Sequence, residues 1–127
     1  MNLVGPINSG STTGGAGASA SNATSGVRVS GRVLGIYIRY NDAPPATTDV
    51  IVKTVGGSGS IPSTTLLTLT NKNTDGMFTP RVIPQDTLGV ALAALTIAEP
   101  IAIYDYINVA VAQANDGDSV DVWLVVE

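Results

Sequence analysis

Ten carboxylates are the side chains here with the most evident chemistry, and the closest pair is Asp116 and Asp118, within Asn115-Asp-Gly-Asp118. Paired carboxylates do acid/base work when one is desolvated enough to keep its proton and the other faces it across a cleft. Aspartates around a glycine, in a polar break between apolar runs, read instead as turn formers that bond nearby backbone N–H groups. The same four residues faintly resemble a Ca²⁺ loop but lack its longer run of spaced ligands and its closing bidentate glutamate.

Histidine and cysteine are both absent from the sequence. That excludes His-based catalysis, His-ligated metals, thiol nucleophiles, disulfides and Cys₄ zinc sites. Serine and threonine abound, yet no Gly-x-Ser-x-Gly elbow and no Gly-Lys-Ser/Thr phosphate loop occurs. The reading is a protein that is not an enzyme and uses no cofactor or metal. Among the few aromatics, Trp123 with Tyr104 or Tyr106 is the candidate sugar platform. A subunit interface is the competing reading, because Trp and Tyr commonly anchor protein contacts.

Charge narrows the partners. Six basic residues (Arg28, Arg32, Arg39, Lys53, Lys72, Arg81) are scattered along a chain of formal net charge −4. Phosphate neutralisation needs clustered cations, so no nucleic acid is expected. Only 13% of residues are charged, against roughly 25% in ordinary soluble domains, and mean hydropathy is positive at +0.30. Such a surface is expected to be partly hidden in an assembly. No apolar run approaches the roughly 20 residues of a membrane-spanning helix. No basic residue precedes Arg28, so neither a membrane nor a secretory route is expected. Asn22-Ala-Thr24 is then an accidental match to the glycosylation pattern, and synthesis in a cytoplasm is the reading.

The elements that must position these residues are strands. Ile107, Val109 and Val111 alternate, and after Asn115–Asp118 the beat resumes at Val120, Val122, Leu124 and Val126. This pattern predicts a β-hairpin with Asp116-Gly117 at its tip. Trp123 and Val125 have the opposite parity and need another surface to bury them. Between Val27 and Tyr40 the apolar phase changes near Gly31 and Gly35, which predicts a bulge or corner. Thr48 to Val55 and Thr64 to Thr70 read as strands, the second with Leu67 and Leu69 on one face. Met77 to Ile83 reads as an edge piece interrupted by Pro80, Val90 to Ile97 as a strand or single turn, and Ile101 to Tyr104 as a strand. Seven or eight short strands separated by Gly, Pro, Asn and Asp predict an all-β fold, a single antiparallel β-sandwich that is jelly-roll-like, over residues 27–127.

Residues 1–26 differ in kind. This Gly/Ser/Ala-rich N-terminal arm offers little apolar area against roughly 1–2 kcal/mol of backbone entropy per residue, so alone it is expected to be flexible. It reads either as a disordered tail or as an arm that orders along a neighbouring subunit, with Leu3, Val4 and Ile7 as its anchor. On that reading, deleting residues 1–26 leaves the fold intact.

Three runs carry a family likeness: Pro45-Ala-Thr-Thr-Asp-Val-Ile-Val52, Thr65-Leu-Leu-Thr-Leu-Thr-Asn-Lys-Asn-Thr-Asp-Gly-Met-Phe-Thr-Pro-Arg81, and Ile107-Asn-Val-Ala-Val-Ala-Gln-Ala-Asn-Asp-Gly-Asp-Ser-Val120. In their order they resemble the small decoration, or cement, proteins of tailed-bacteriophage capsids. The Asn-Thr-Asp-Gly…Pro-Arg run is the most distinctive part, and the likeness spans residues 27–127. It implies a β-sandwich subunit, often trimeric, that binds the major capsid protein on the outer surface of the virion. Leu3, Val4, Ile7, Trp123 and Val125 are then the candidate interface residues. The competing expectation is a glycan- or receptor-binding module of a head fibre or adhesion structure.

Overall fold

Alternating apolar and polar residues turn most of the chain into strands. The structure, a computed structural model, describes residues 1–57, 62–92 and 98–127. Its strands are β1 (Asn2–Asn8), β2 (Ser19–Thr24), β3 (Val29–Asn41), β4 (Asp49–Thr54), β5 (Thr65–Leu69), β6 (Gly76–Phe78), β7 (Arg81–Val82), β8 (Glu99–Asp105), β9 (Ile107–Ala114) and β10 (Ser119–Val126), and no helix occurs among the described residues. One sheet has the order β1-β10-β3-β8-β7, with β6 also paired to β3, and the other has the order β2-β9-β4-β5. All pairings are antiparallel. The first strand pairs with the last, β2 with β9, β3 with β8 and β4 with β5. Pairs nested in this way are one long double ribbon rolled over on itself, so the sandwich is a jelly roll, as its strand spacing suggests.

Val33, Ile36, Ile38, Val122 and Leu124 of one sheet meet Val50, Val52, Ile107 and Val109 of the other, all with no exposed surface. Fully burying one such side chain stabilises by about 1.5–3 kcal/mol. The interior between the sheets therefore dominates the energetics.

The C-terminal stretch is not a hairpin. β9 pairs with β2 and β4, whereas β10 pairs with β1 and β3. Asn115–Asp118 is an arch that carries the chain from one sheet to the other, with Gly117 at φ 86°. Each strand has one apolar face, and setting those faces opposite each other across the core buries both at once.

Nor is the N-terminal stretch a flexible arm. β1 and β2 form one edge of each sheet, and Ser9 and Thr12 between them, Ser19 at the start of β2 and Ser25 just after it are buried. The Ser9 N–H donates to the Val120 carbonyl at 2.9 Å, and the Val120 N–H donates to Ser9 Oγ at 2.9 Å. Thr12 and Gly17 grip the arch: the Thr12 N–H donates to the Asp118 carbonyl at 2.8 Å, the Gly117 N–H to the Thr12 carbonyl at 2.9 Å, and the Gly17 N–H to Asn115 Oδ1 at 2.9 Å. Further on, Ser25 Oγ accepts from the Ile107 N–H at 3.0 Å. Apolar area alone understates what orders this segment, because hydroxyls and main-chain groups that find partners offset the entropy as well. Ile7, 7% exposed, adds a core side chain.

Of the register shifts in the two sheets, those in β3 and β5 bear on the apolar phase read from the sequence. In β3, Val125 lies opposite Gly35 and Val126 opposite Val33, leaving Leu34 as the extra residue where the sequence changes phase. In β5, Val52 lies opposite Leu67 and Lys53 opposite Thr65. The extra residue there is Leu66, which is buried in addition to Leu69, while Leu67, opposite Val52, packs half-buried against the core as alternation with Leu69 suggests. The edge piece from Met77 to Ile83 divides into β6 and β7. Of the segment Val90 to Ile97, residues 93–97 lie outside the described residues. Ala91 forms an isolated bridge with Gln85.

Candidate binding surface on the outer face of the larger sheet

Alternation on β10 sends Val122, Leu124 and Val126 into the core and leaves Trp123 and Val125 on the outer face. On β3 the same rule buries Ile36 and Ile38 and turns Tyr37 and Arg39 outward. Trp123 lies directly opposite Tyr37, and Tyr37 opposite Met77 of β6. Leu3 lies opposite Val125, and Val125 opposite Gly35. Two rows of side chains thus cross the sheet, one aromatic and one aliphatic.

A groove of about 410 Å³ is lined by Leu3, Tyr37, Arg39, Met77 and Trp123. Beside it a second hollow of about 290 Å³ is lined by Met1, Leu34, Gly35, Met77, Thr79 and Val125. Met77 borders both, so the apolar surface is continuous. Leu3 is 68% exposed and Met77 56%. The Tyr37 and Trp123 rings lie 5.7 Å apart at 53°, an inclined arrangement that suits their quadrupoles. Gly5 makes the indole's position possible: its φ is +138°, and a Cβ there would stand 2.7 Å from the Val122 carbonyl oxygen and 2.9 Å from Trp123 Cδ1.

Arg39 closes one end of the groove. Its guanidinium lies 5.1 Å from the centre of a Trp123 ring and donates through Nη2 to Asp121 Oδ2 at 2.6 Å. Asp121 is 7% exposed and also accepts from Asn8 Nδ2 at 2.7 Å and Asn41 Nδ2 at 3.1 Å. Burial alone would raise its carboxyl pKa, but the hydrogen bonds from Asn8, Arg39 and Asn41, with the charge of Arg39, outweigh burial and hold it below the usual carboxylate range. β1, β10 and β3 therefore meet at one charged network that fixes the Arg39 side chain over the indole.

Of the candidate interface residues, Leu3, Trp123 and Val125 come together on this surface. Val4 and Ile7 do not: Val4 is half-buried against the core and Ile7 belongs to it. Tyr37, Arg39 and Met77 were not singled out from sequence, although the parity of Tyr37 and Arg39 against Ile36 and Ile38 carried the signal for two of them. Tyr104 and Tyr106 lie away from Trp123, each with its ring centre 5.2 Å from the Arg28 guanidinium. Asp116 is exposed, and Asp118 is a buried turn former whose Oδ2 accepts from the Asn115 N–H at 2.8 Å. Among the described residues no three carboxylates gather as they would around a metal ion. On the other sheet a small polar hollow of about 250 Å³ is lined by Asn22, Thr24, Lys53, Val55 and Asn108.

Fold and surface together define a jelly-roll β-sandwich with an apolar outer face. No family model, curated protein or solved structure shows a significant match to the chain.

Proposed function

We propose that this protein is a non-enzymatic structural subunit that decorates the outer surface of an assembled phage capsid, held by the major capsid protein and by copies of itself. The observation that supports this reading is the continuous apolar face from Met1 and Leu3 across Val125 and Trp123 to Tyr37 and Met77, on a small domain with few charges. Exposed apolar surface of this kind marks contact sites in soluble domains. Aromatic side chains at its centre, with a well-fixed arginine, are the residue types that anchor protein interfaces. On a symmetric shell, many copies of a modest contact gain avidity without any single large interface. Co-sedimentation with purified heads tests the proposal: the wild-type protein pellets with expanded heads, and Met77→Asp, which charges the face without touching the core, pellets less. A protein that never pellets with heads overturns it.

A second reading has its own support in the Tyr37–Trp123 floor of the groove, since exposed aromatic rings in a groove suit a sugar ring. It makes the protein a glycan- or receptor-binding module of a head fibre or adhesion structure. The apolar walls offer a sugar few hydrogen-bond partners beyond Arg39, which ranks this reading second. A change in Trp123 emission on titration with glycans is its signature.

A further inference from the structure

A sheet edge with free N–H and C=O groups is a template for another strand, and the edges of these two sheets differ in how they prevent that. β1 carries Pro6, which has no N–H to offer, and its register slips between Val4 and Ile7. At the far side of the same sheet β6 has three residues and β7 two, the latter flanked by Pro80 and Pro84. The start of β2 is capped by the segment before it: the Thr13 N–H donates to the Ala20 carbonyl and the Ala20 N–H to the Thr13 carbonyl, both at 3.1 Å. β5 has no such device. Every residue from Thr64 to Thr70 is Thr or Leu, a run without charge, Pro or Gly that suits strand pairing.

β5 is also held ready. Leu66 and Leu69 anchor it in the core, and among the described residues it pairs with β4 alone. The Thr54 N–H donates to the Thr64 carbonyl at 2.9 Å, so Val50, Val52 and Thr54 turn their main-chain groups toward β5. Leu67 and Leu69, opposite Val52 and Val50, turn theirs back. Thr65 and Thr68 lie out of phase with these and present N–H and C=O to the open side, with exposed side chains.

We infer that β5 of one copy pairs antiparallel with β5 of a second copy across a two-fold axis, joining the two four-stranded sheets into one. Free main-chain groups specify an extended strand as the occupant. The other edges are blunted, so β5 itself is the complementary strand that every copy carries. The run from Thr64 to Thr70 is uncharged, and self-pairing sets no like charges against each other. A strand already fixed by its leucines loses little further freedom on pairing. Two-fold pairing uses both open edges at once and leaves blunted ones outside, which closes the assembly at two copies. The inference rests on the contact between copies in the reading above and names the element that makes it.

Sedimentation velocity over a concentration series shows the wild-type mass rising from one copy to two and no further. Hydrogen exchange over the same series slows in peptides covering residues 64–70 and not in those covering β1 or β2. Thr68→Pro removes an edge N–H without touching the core and weakens dimerisation by roughly tenfold or more, since the two-fold axis repeats the lost bond. Thr68→Lys, which sets like charges along the joined edge, weakens it as well at an unchanged melting temperature, whereas Thr24→Lys on β2 leaves association as it was. The inference is overturned by a protein that stays monomeric, by growth past the dimer, or by a dimer whose residues 64–70 exchange at the monomer's rate. Head co-sedimentation separates it from the decoration reading. Dimerisation without head binding sinks only that reading, and head binding by a strict monomer sinks only this inference.

Discussion

Shortening Ile7 to alanine tests whether the N-terminal segment belongs to the fold. Ile7 is 7% exposed within the core, whereas Leu3, four residues earlier in β1, is 68% exposed on the outer face. Truncating a buried isoleucine costs about 2–5 kcal/mol, from lost transfer energy and the cavity left behind. Truncating an exposed leucine costs no more than about 0.5 kcal/mol. In a domain of this size each kcal/mol moves the melting temperature by roughly 3–6 °C. Ile7→Ala should therefore melt at least about 6 °C below the wild-type protein, and Leu3→Ala within about 3 °C of it. Circular dichroism on heating gives the first measure and urea unfolding followed by Trp123 emission the second. The urea slope should not change, because the same surface is exposed on unfolding. Removing residues 1–8 should cost more than Ile7→Ala, since it also uncovers β10 and takes Asn8 from Asp121. An Ile7→Ala protein as stable as the wild type would refute the reasoning and return residues 1–26 to the status of a loose tail.

Three further outcomes follow from single sites. Asp121 titrates lower in the folded chain than in the unfolded one, so its stabilisation is complete above the unfolded pKa of about 3.9 and disappears as pH falls through the lower folded value. Asp121→Asn should be less stable near neutral pH, by about 1–2 kcal/mol given the half-exposed Arg39, and should lose less on acidification when unfolding is followed from pH 6 downward. Gly5→Ala sets a Cβ against the Val122 carbonyl and the indole and should cost about 1–3 kcal/mol with a shifted Trp123 emission maximum. Tyr40 has a buried hydroxyl without a hydrogen-bond partner, and burial, with the charge of Asp75, pushes its pKa up to about 12. Tyr40→Phe should be neutral or slightly stabilising. It should also remove the stability loss that the wild-type protein shows as pH rises from 10 toward 12 in alkaline melting curves, because the unfolded chain ionises first.

Local pattern and global partner choice explain what the sequence made legible. Parity placed Trp123 and Val125 outside and Val122 and Leu124 inside, because the pleat depends only on neighbouring residues. The phase change near Gly31 and Gly35 marked the bulge at Leu34 for the same reason. Sheet membership was not legible: two apolar-faced strands around Asn115–Asp118 have the same pattern whether they lie side by side or face each other across a core. Composition misled for residues 1–26, since Ser9, Thr12 and Ser25 act through hydrogen bonds to β9, β10 and the arch that no count of apolar side chains detects. The groove combines residues from β1, β3, β6 and β10. Only the register that sets Trp123 beside Tyr37 and Tyr37 beside Met77 brings them together.

The pairing of Asn2 with Val126 also has a temporal side. At roughly 5–20 residues per second of synthesis, β1 waits roughly 6–25 s for β10 to follow it. No early sheet can close around it. During that interval the nascent chain is protected by its own dullness: the Gly-, Ser- and Ala-rich run after β1 has too few apolar or β-branched residues to zip onto another unfinished chain. The composition that resembles a disordered tail therefore suits a segment that must stay soluble and unpaired until its partner leaves the ribosome.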